Sequence, residues 1–254
     1  MSDLRLERDG HVAIVEICRG PNNFFDTALI EALAEVFEAL DADADARCIL
    51  LCAEGKNFCA GADFGGASAA APAVEDARRL YQSAVRLFRA KTPVVAGVQG
   101  SAVGGGLGLA LVADFRVATA QSRFTANFNR IGIHPGFGLS TTLPRLIGPQ
   151  KASLLFFTGR RIGGDEALAI GLVDQVAAEE ALRDHALALA REIALSAPLA
   201  VAATRATLRL GLADAVAAAV ERELAGQAEN FRSEDFIEGV KAMTERRPPQ
   251  FKAR

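Results

Sequence analysis

The chain has 254 residues, half of them apolar, and a formal net charge of −3 at pH 7. This length fits one large domain, or a domain with a helical extension. The near-neutral charge argues against a nucleic-acid-binding protein, since such proteins usually carry a basic face. A small anionic ligand remains compatible with this charge, because a few local lysines or arginines are enough to hold it.

The N-terminus and the cysteines favour a cytoplasmic protein. Residues 1–12 lack the basic and then apolar pattern of a signal peptide, and the apolar runs are too short or too interrupted for a membrane span. The four cysteines form no Cys-x-x-Cys pair, so we expect reduced thiols. Cys59 could be a nucleophile, but a small buried side chain is the simpler interpretation. The scattered histidines and cysteines predict no metal site.

The first half of the chain alternates between predicted strands and helices. Residues 11–19 alternate apolar and polar side chains, which is typical of a strand. Asp26 can cap the helix that follows, because its carboxylate can accept a free N–H of the first turn. Further strands are predicted at 48–54, 93–100 and 114–120, and helices at 75–91 and 106–113. Such alternation indicates an α/β fold with parallel crossovers.

From about residue 150 onward the pattern is mainly helical. In the segment 179–195, apolar residues recur on one helical face: Leu182, Ala186, Leu189 and Ile193. We therefore predict an α/β core over 1–195 and a helical region over 196–254. The segment 63–76 is rich in small residues, which suits either a mobile flap beside a site or a loose loop.

Two glycine-bearing turns each follow a predicted strand, at 57–64 and at 100–108. In the second turn the strand is expected to end at Gln99 and a helix to begin at 104–106, where the first N–H groups have no partner within the helix. Neither a P-loop nor a Gly-x-Gly-x-x-Gly motif fits this turn in any register. Two N–H donors from separate turns instead suggest an oxyanion hole for a thioester or ester oxygen.

Four segments carry a resemblance to a known family. They are "FCAGADF" (58–64), "TPVVAGVQGSAVGGGLGLALVADFRVAT" (92–119), "IGIHPGFGLSTTLPRLIG" (131–148) and "GRRIGGDEALAIGLVDQV" (159–176). In this order and at this spacing they resemble the enoyl-CoA hydratase/isomerase (crotonase) family, from about residue 10 to 252. The resemblance implies an α/β spiral of ββα turns with C-terminal helices that form a homotrimer or a dimer of trimers.

The resemblance also implies a ligand and its contacts. The substrate would be an acyl-CoA thioester, with coenzyme A as part of the substrate and no separate cofactor. Its thioester oxygen would lie between the backbone N–H groups of Ala62 and Gly105, and Ala60 would contact the adenine. Asp63 and Phe64, which follow the first turn, belong to the implied substrate-binding set.

The C-terminal sequence supplies the last implied contacts. Phe251 and Lys252 match an aromatic-x-basic ending that contacts coenzyme A, often from a neighbouring subunit. The competing interpretation is a frayed tail without a binding role. No membrane partner and no nucleic acid are expected.

The acid/base positions of the family hold unsuitable residues in this chain. The two glutamates of the hydratases match Gly108 and Phe128, and the aspartate of some isomerases matches Gly136. None of these residues can carry a proton, whereas general acid–base catalysis needs a titratable group within reach. His134 is the leading substitute because it titrates near neutrality, although it could equally bond the backbone around Pro135.

These departures leave three hypotheses open. The first is an acyl-CoA enzyme with shifted acid/base residues, which isomerises, hydrates, dehydrates or cleaves its substrate through an enolate. The second is an acyl-CoA-binding protein with little catalysis, and the third is a subunit that serves assembly alone. Phe128 either fills the space of the missing glutamate or packs against the acyl group. Ordinary hydration is the least expected activity.

Overall fold

The computed structural model describes residues 3–62 and 74–254. Most of the segment 63–76 therefore lies outside the described residues, and so do the predicted site residues Asp63 and Phe64. Within the described ranges no single helix has the length and apolar content that a membrane crossing needs. Only the pair Glu179–Ala194 and Pro198–Leu208 meets that criterion together, across a bend of 105°.

The main sheet of the described chain has six strands in the order β1-β2-β3-β4-β6-β9. Its strands are β1 (Leu4–Asp9), β2 (Val12–Ile17), β3 (Cys48–Ala53), β4 (Val94–Val98), β6 (Phe115–Thr119) and β9 (Gln175–Ala177). β1 pairs antiparallel with β2, and every other neighbouring pair is parallel. A small second sheet contains β5 (Ser101–Val103), β7 (Arg123–Thr125) and β8 (Arg161–Gly163).

Ten α-helices and two short 3-10 helices connect these strands in the described ranges. The α-helices are α1 (Thr27–Asp41), α2 (Val74–Arg89), α3 (Gly105–Ala110), α4 (Leu139–Ile147), α5 (Pro149–Thr158), α6 (Gly164–Ala169), α7 (Leu182–Ala194), α8 (Pro198–Leu208), α9 (Leu212–Asn230) and α10 (Glu234–Thr244). The 3-10 helices are Asn127–Ile131 and Glu179–Ala181. The parallel crossovers through helices confirm the α/β prediction.

The central strands are buried on both faces. In β3, Leu50 belongs to the core that packs against α7, while Ile49 and Leu51 belong to the larger core with α1 and α2. Successive side chains of a strand point to opposite faces, which is why one apolar run serves two cores. The buried face of α7 consists of Leu182, Ala186, Ala190 and Ala194, with Leu189 and Ile193 partly buried at its border.

The structure differs from the sequence expectations at short elements. The strand expected to end at Gln99 ends at Val98, and the additional strand β5 precedes the glycine helix α3. β8 and β9 interrupt the predicted helical half, and β9 returns to the main sheet beside β6. After α7 the described secondary structure is helical, as expected for residues 196–254, and the division into two regions stays a prediction.

Candidate active site

Backbone pairing brings the two glycine-bearing turns side by side. The N–H of Cys59 donates to the carbonyl of Ser101 at 3.1 Å, and the N–H of Val103 donates to the carbonyl of Cys59 at 3.0 Å. On the other side of the first turn, the N–H of Phe25 donates to the carbonyl of Gly61 at 3.1 Å. The first turn is thus fixed between the residue-25 loop and β5.

At each position of the glycine triplet that starts α3, a different steric constraint favours glycine. Gly104 has a φ of +55°, which favours glycine. A Cβ on Gly105 would lie 2.4 Å from the Phe25 ring, and a Cβ on Gly106 would lie 2.2 Å from the Cys59 carbonyl oxygen. The helix therefore approaches the first turn more closely than any side chain allows, and its first N–H, that of Gly105, has no partner within the helix.

One cavity joins the predicted residues of both turns. It has a volume of about 390 Å³, and Ala60, Ala62, Gly105 and Phe128 all line it. Large apolar side chains also line it: Phe25, Leu80, Ile131, Ile133, Phe231 and Met243. The structure therefore brings Ala62 and Gly105 to one cavity with Ala60 and Phe128, and the role of this cavity as a thioester site stays a prediction.

Gly108 lies behind a buried phenylalanine. A Cβ at this position would be 2.7 to 2.9 Å from three atoms of Phe137, whose side chain is fully buried. The Phe137 ring also lies against Phe25, with the ring centroids 5.7 Å apart. The space that a hydratase glutamate would need is filled by this ring, and Phe128 places a second apolar side chain in the cavity wall.

The space beside Gly136 is also filled, here by polar groups. A Cβ on Gly136 would lie 2.0 Å from the hydroxyl of Tyr81 and 2.7 Å from the amide nitrogen of Gln227. Both Tyr81 and Gln227 line the cavity. Sequence reasoning missed this pair, because Tyr81 lies on α2 and Gln227 on α9. The one available signal was the glycine at 136, which leaves room for a side chain from elsewhere.

His134 points into a different cavity. Its ring lines a separate space of about 550 Å³, and Nδ1 lies 2.8 Å from the carbonyl oxygen of Pro135. The backbone of the same residue is held by Asn230 and Gln227. This geometry matches the structural interpretation of His134. His134 does not line the cavity that Ala62 and Gly105 share, so the structure gives no support to its role as the proton carrier, which stays a prediction.

The predicted C-terminal contacts lie outside this cavity within the single chain. The backbone N–H groups of Lys252 and Ala253 donate to the carboxylate of Asp235 at 2.6 and 2.9 Å. Phe251 lines a small neighbouring cavity with Asn129 and Gly132. The tail is therefore docked on the start of α10 and does not match the alternative of a frayed end. Whether Phe251 and Lys252 contact coenzyme A stays a prediction.

The titratable groups around the cavity differ in their environment. Burial raises the pKa of the Tyr81 phenol above its usual value, so the hydroxyl keeps its proton. Burial also acts to raise the pKa of Asp26, but hydrogen bonds from the Leu29 N–H and from Arg19 outweigh it and lower the pKa. Burial raises the pKa of Cys59 to about 12, which makes it a poor nucleophile and supports the structural interpretation.

Comparison with known proteins agrees with this architecture. The profile of the enoyl-CoA hydratase/isomerase family matches residues 7–254. A probable enoyl-CoA hydratase of Bacillus subtilis (strain 168) is 33% identical over 256 residues, covering 99% of this chain and 99% of the relative. A carnitinyl-CoA dehydratase of Escherichia coli (strain K12) is 33% identical over 257 residues, covering 99% of this chain and 98% of the relative.

A solved structure shows the same fold. The crystal structure of an enoyl-CoA hydratase/isomerase from Pseudoalteromonas atlantica T6c superposes with a TM-score of 0.86 at 31% identity. The alignment covers 99% of this chain and 100% of that one. Together with the paired glycine turns and the cavity between them, these similarities establish that the chain belongs to the enoyl-CoA hydratase/isomerase (crotonase) family.

Proposed function

We propose that the protein is an enzyme that acts on an acyl-CoA thioester and stabilises its enolate between the backbone N–H groups of Ala62 and Gly105. The observation that carries the proposal is the meeting of the two glycine turns at one cavity, with both residues in its wall. Relatives named as an enoyl-CoA hydratase and a carnitinyl-CoA dehydratase support the choice of substrate class.

The chemistry follows from where charge develops. When a bond at the α-carbon breaks, negative charge moves onto the thioester oxygen, and fixed N–H donors stabilise it without reorganising. The loss of one such donor typically costs about 2.7–4 kcal/mol of transition-state stabilisation. Because both donors belong to the backbone, a scan of side chains to alanine would not reveal them.

Isomerase, lyase or hydrolase chemistry is favoured over ordinary hydration. Hydration of a double bond needs a group that activates water and a group that supplies a proton. In this chain the two matching positions hold Gly108, which is covered by Phe137, and Phe128, which is apolar. The alternative is an acyl-CoA-binding protein with weak catalysis, which would keep the same cavity without turnover.

Solvent deuterium exchange at the α-carbon of several acyl-CoA thioesters tests the proposal. Exchange should occur with the wild-type protein, and Ala62→Pro should slow it about 100-fold or more because the N–H donor is gone. Ala62→Gly is the matched control, since it keeps the donor. His134→Ala should exchange like the wild type, since its ring lies in another cavity.

The outcomes separate the hypotheses. Hydration of crotonyl-CoA can be measured as the loss of absorbance of its conjugated thioester. A rate typical of a hydratase would contradict the proposal that ordinary hydration is disfavoured. Tight binding of acyl-CoA without any exchange would favour the binding protein. Failure to bind any acyl-CoA would overturn the proposed function.

We also propose that the chain assembles through the α8 region. Four leucines in and beside this helix are at least 70% exposed in the single chain: Leu195, Leu199, Leu208 and Leu210. Large apolar side chains clustered on one surface usually mark a contact with another protein. A homotrimer or a dimer of trimers, as the family resemblance implies, would cover them.

A further inference from the structure

We propose that the Tyr81 hydroxyl, positioned by Gln227, selects acyl groups that carry a neutral oxygen beyond the thioester, a hydroxyl or a keto group, and donates a hydrogen bond to it. The inference rests on the proposed function, because it presupposes an acyl-CoA thioester in the cavity. It assigns a specificity-determining role to Tyr81 and a positioning role to Gln227.

The hydrogen bonds of Gln227 define the orientation of its amide. Its Nε2 donates to the carbonyl oxygen of His134 at 2.9 Å, and a carbonyl can accept only from the nitrogen of the amide. The same Nε2 lies 3.0 Å from the Tyr81 hydroxyl oxygen, and Oε1 lies 3.1 Å from it. Gln227 is almost fully buried, so this orientation is fixed by the protein and not by solvent.

This arrangement gives the phenol proton two partners. In the structure the hydroxyl donates to Oε1 of Gln227. When an acceptor oxygen enters, the proton can turn toward it while Nε2 of Gln227 donates to the phenol oxygen. The hydroxyl is therefore satisfied in both states, and a substrate oxygen gains a donor that is itself supported by a hydrogen bond.

Glycine at 136 is what allows the Tyr81 hydroxyl to lie beside this turn. Any Cβ at 136 would lie 2.0 Å from the phenol oxygen, well inside contact distance. The Tyr81 ring also lies edge-on against Phe137, with the ring centroids 6.5 Å apart, which holds the ring in position. Because residue 136 has no side chain, the phenol of Tyr81 from α2 can occupy the space beside it.

The charges around the cavity favour a neutral oxygen over a carboxylate. Among the described residues that line the cavity there is no lysine, arginine or histidine, whereas Asp26 and Asp76 both line it. A buried carboxylate needs a cation or several donors to offset its desolvation, and a hydroxyl or keto oxygen needs only one donor. The raised pKa of Tyr81 keeps that donor protonated over the working pH range.

Calorimetric binding of a matched set of thioesters tests the inference. The set contains butyryl-CoA, 3-hydroxybutyryl-CoA, 4-hydroxybutyryl-CoA, 3-oxobutyryl-CoA and succinyl-CoA, each checked by mass spectrometry for integrity after the titration. The wild type should bind at least one neutral oxygenated thioester about 5- to 100-fold more tightly than butyryl-CoA. Succinyl-CoA should show no such gain.

Three variants separate the role of the hydroxyl from that of the ring. Tyr81→Phe keeps the ring and should abolish the preference, so that the ratio of the affinities for the oxygenated thioesters and for butyryl-CoA falls to about one. Phe128→Leu changes the apolar wall and should shift the affinities of butyryl-CoA and the oxygenated thioesters together. Gln227→Met should weaken the preference in part and change the phenol environment.

The phenol environment can be read directly because Tyr81 is the only tyrosine and the chain has no tryptophan. The near-ultraviolet absorption of tyrosine at neutral pH therefore reports one phenol in the folded protein, and Gln227→Met should shift it because the hydrogen bonds between Gln227 and the hydroxyl are lost. Circular dichroism confirms that each variant is folded.

The outcomes distinguish this inference from the proposed function. Binding of butyryl-CoA without a preference for any oxygenated thioester would overturn the role of Tyr81 and leave the proposed function intact. So would a preference that survives in Tyr81→Phe, or one that is strongest for succinyl-CoA. A protein that binds no thioester at all would overturn the proposed function and this inference with it.

Discussion

Phe137 occupies the space beside Gly108, the position where the family resemblance implies a glutamate in the hydratases. The residue has a φ of +62°, a conformation that a bulky side chain adopts only when its surroundings compensate the strain. Its ring is fully buried beside Phe25 and Tyr81, and this packing compensates the strain. The same conformation directs the ring over Gly108. The ring leaves no room for a longer side chain at Gly108.

Installing the hydratase glutamate at 108 should fail. Gly108→Glu places a Cβ within 2.9 Å of the Phe137 ring, so we expect a destabilisation of about 1–3 kcal/mol or more and no gain in hydration of crotonyl-CoA. Urea denaturation and a crotonyl-CoA assay measure the two effects. Gly163→Glu is the control, because a Cβ there meets no atom closer than 3.7 Å. A stable, active Gly108→Glu enzyme would contradict this account of Phe137.

Because three of its thiols are buried, we expect the protein to lose unfolding free energy at alkaline pH. Burial raises the pKa of Cys48, Cys52 and Cys59 to about 12, whereas the unfolded thiols ionise near ~8.5. The folded state therefore retains protons that the unfolded state has lost, and stability falls as pH rises from about 8.5 toward 12. Urea midpoints at rising pH measure the decline, and Cys59→Ala should reduce its slope. An unchanged slope would count against the assignment.

At the scale of elements, the N-terminal end of α1 is determined by residues close to it in sequence. The Asp26 carboxylate accepts the N–H of Leu29 at 2.9 Å and pairs with Arg19 at 2.9 Å, while the chain outside the helix is extended. This is the cap that the sequence predicts, because an aspartate ahead of a helical apolar pattern satisfies one free N–H of the first turn. The cap also fixes the loop that holds Phe25 beside the cavity.

Removing this cap should destabilise the protein modestly. We expect Asp26→Ala to cost about 1 kcal/mol of unfolding free energy, in a range of about 0.5–2 kcal/mol. Asp26→Asn should retain most of the stability, because its side-chain oxygen still accepts the N–H of Leu29. Chemical denaturation of the three proteins provides the comparison. Equal losses for both variants would show that the ion pair with Arg19, and not the cap, is responsible.

At the scale of the whole molecule, long-range ion pairs hold the C-terminal helices to the α/β body. Asp114, at the start of β6, pairs with Arg205 of α8 at 2.8 Å and with Arg209 beyond it at 2.9 Å. Since all three side chains are largely buried, this contact fixes where α8 leaves the body and so where its leucines are presented.

The exposed leucines predict self-association. Leu199 and Leu210 are 86% and 83% exposed in the single chain, so replacing both with aspartate should leave the fold intact and disrupt the assembly. Light scattering after size exclusion should give a trimer or hexamer for the wild type and a smaller species for the double variant. Gln82→Asp, on an exposed position of α2, is the control. A wild-type monomer would overturn the proposal.

The sequence by itself determined the fold class, the longer helices and central strands, and the two turns with their glycines. These features follow from periodicity and from local backbone chemistry, which neighbouring residues carry within one segment. The sequence patterns did not predict the three-residue strands β5, β7, β8 and β9, because a period of two cannot be recognised over so few residues. The motifs of the family resemblance placed Ala60, Ala62 and Gly105 in those turns and Phe128 just before the segment 131–148, and all four line one cavity.

Only the tertiary structure decided what fills the positions that the motifs left vacant. Phe137 covers Gly108, and Tyr81 with Gln227 occupies the space beside Gly136. Tyr81 and Gln227 are 146 residues apart, so no local pattern could join them. His134 is absent from the wall of this cavity, and its position beside Gly226 and Gln227 of α9 likewise depends on a distant segment. Packing between distant segments, which sequence periodicity does not encode, sets the chemistry of this site.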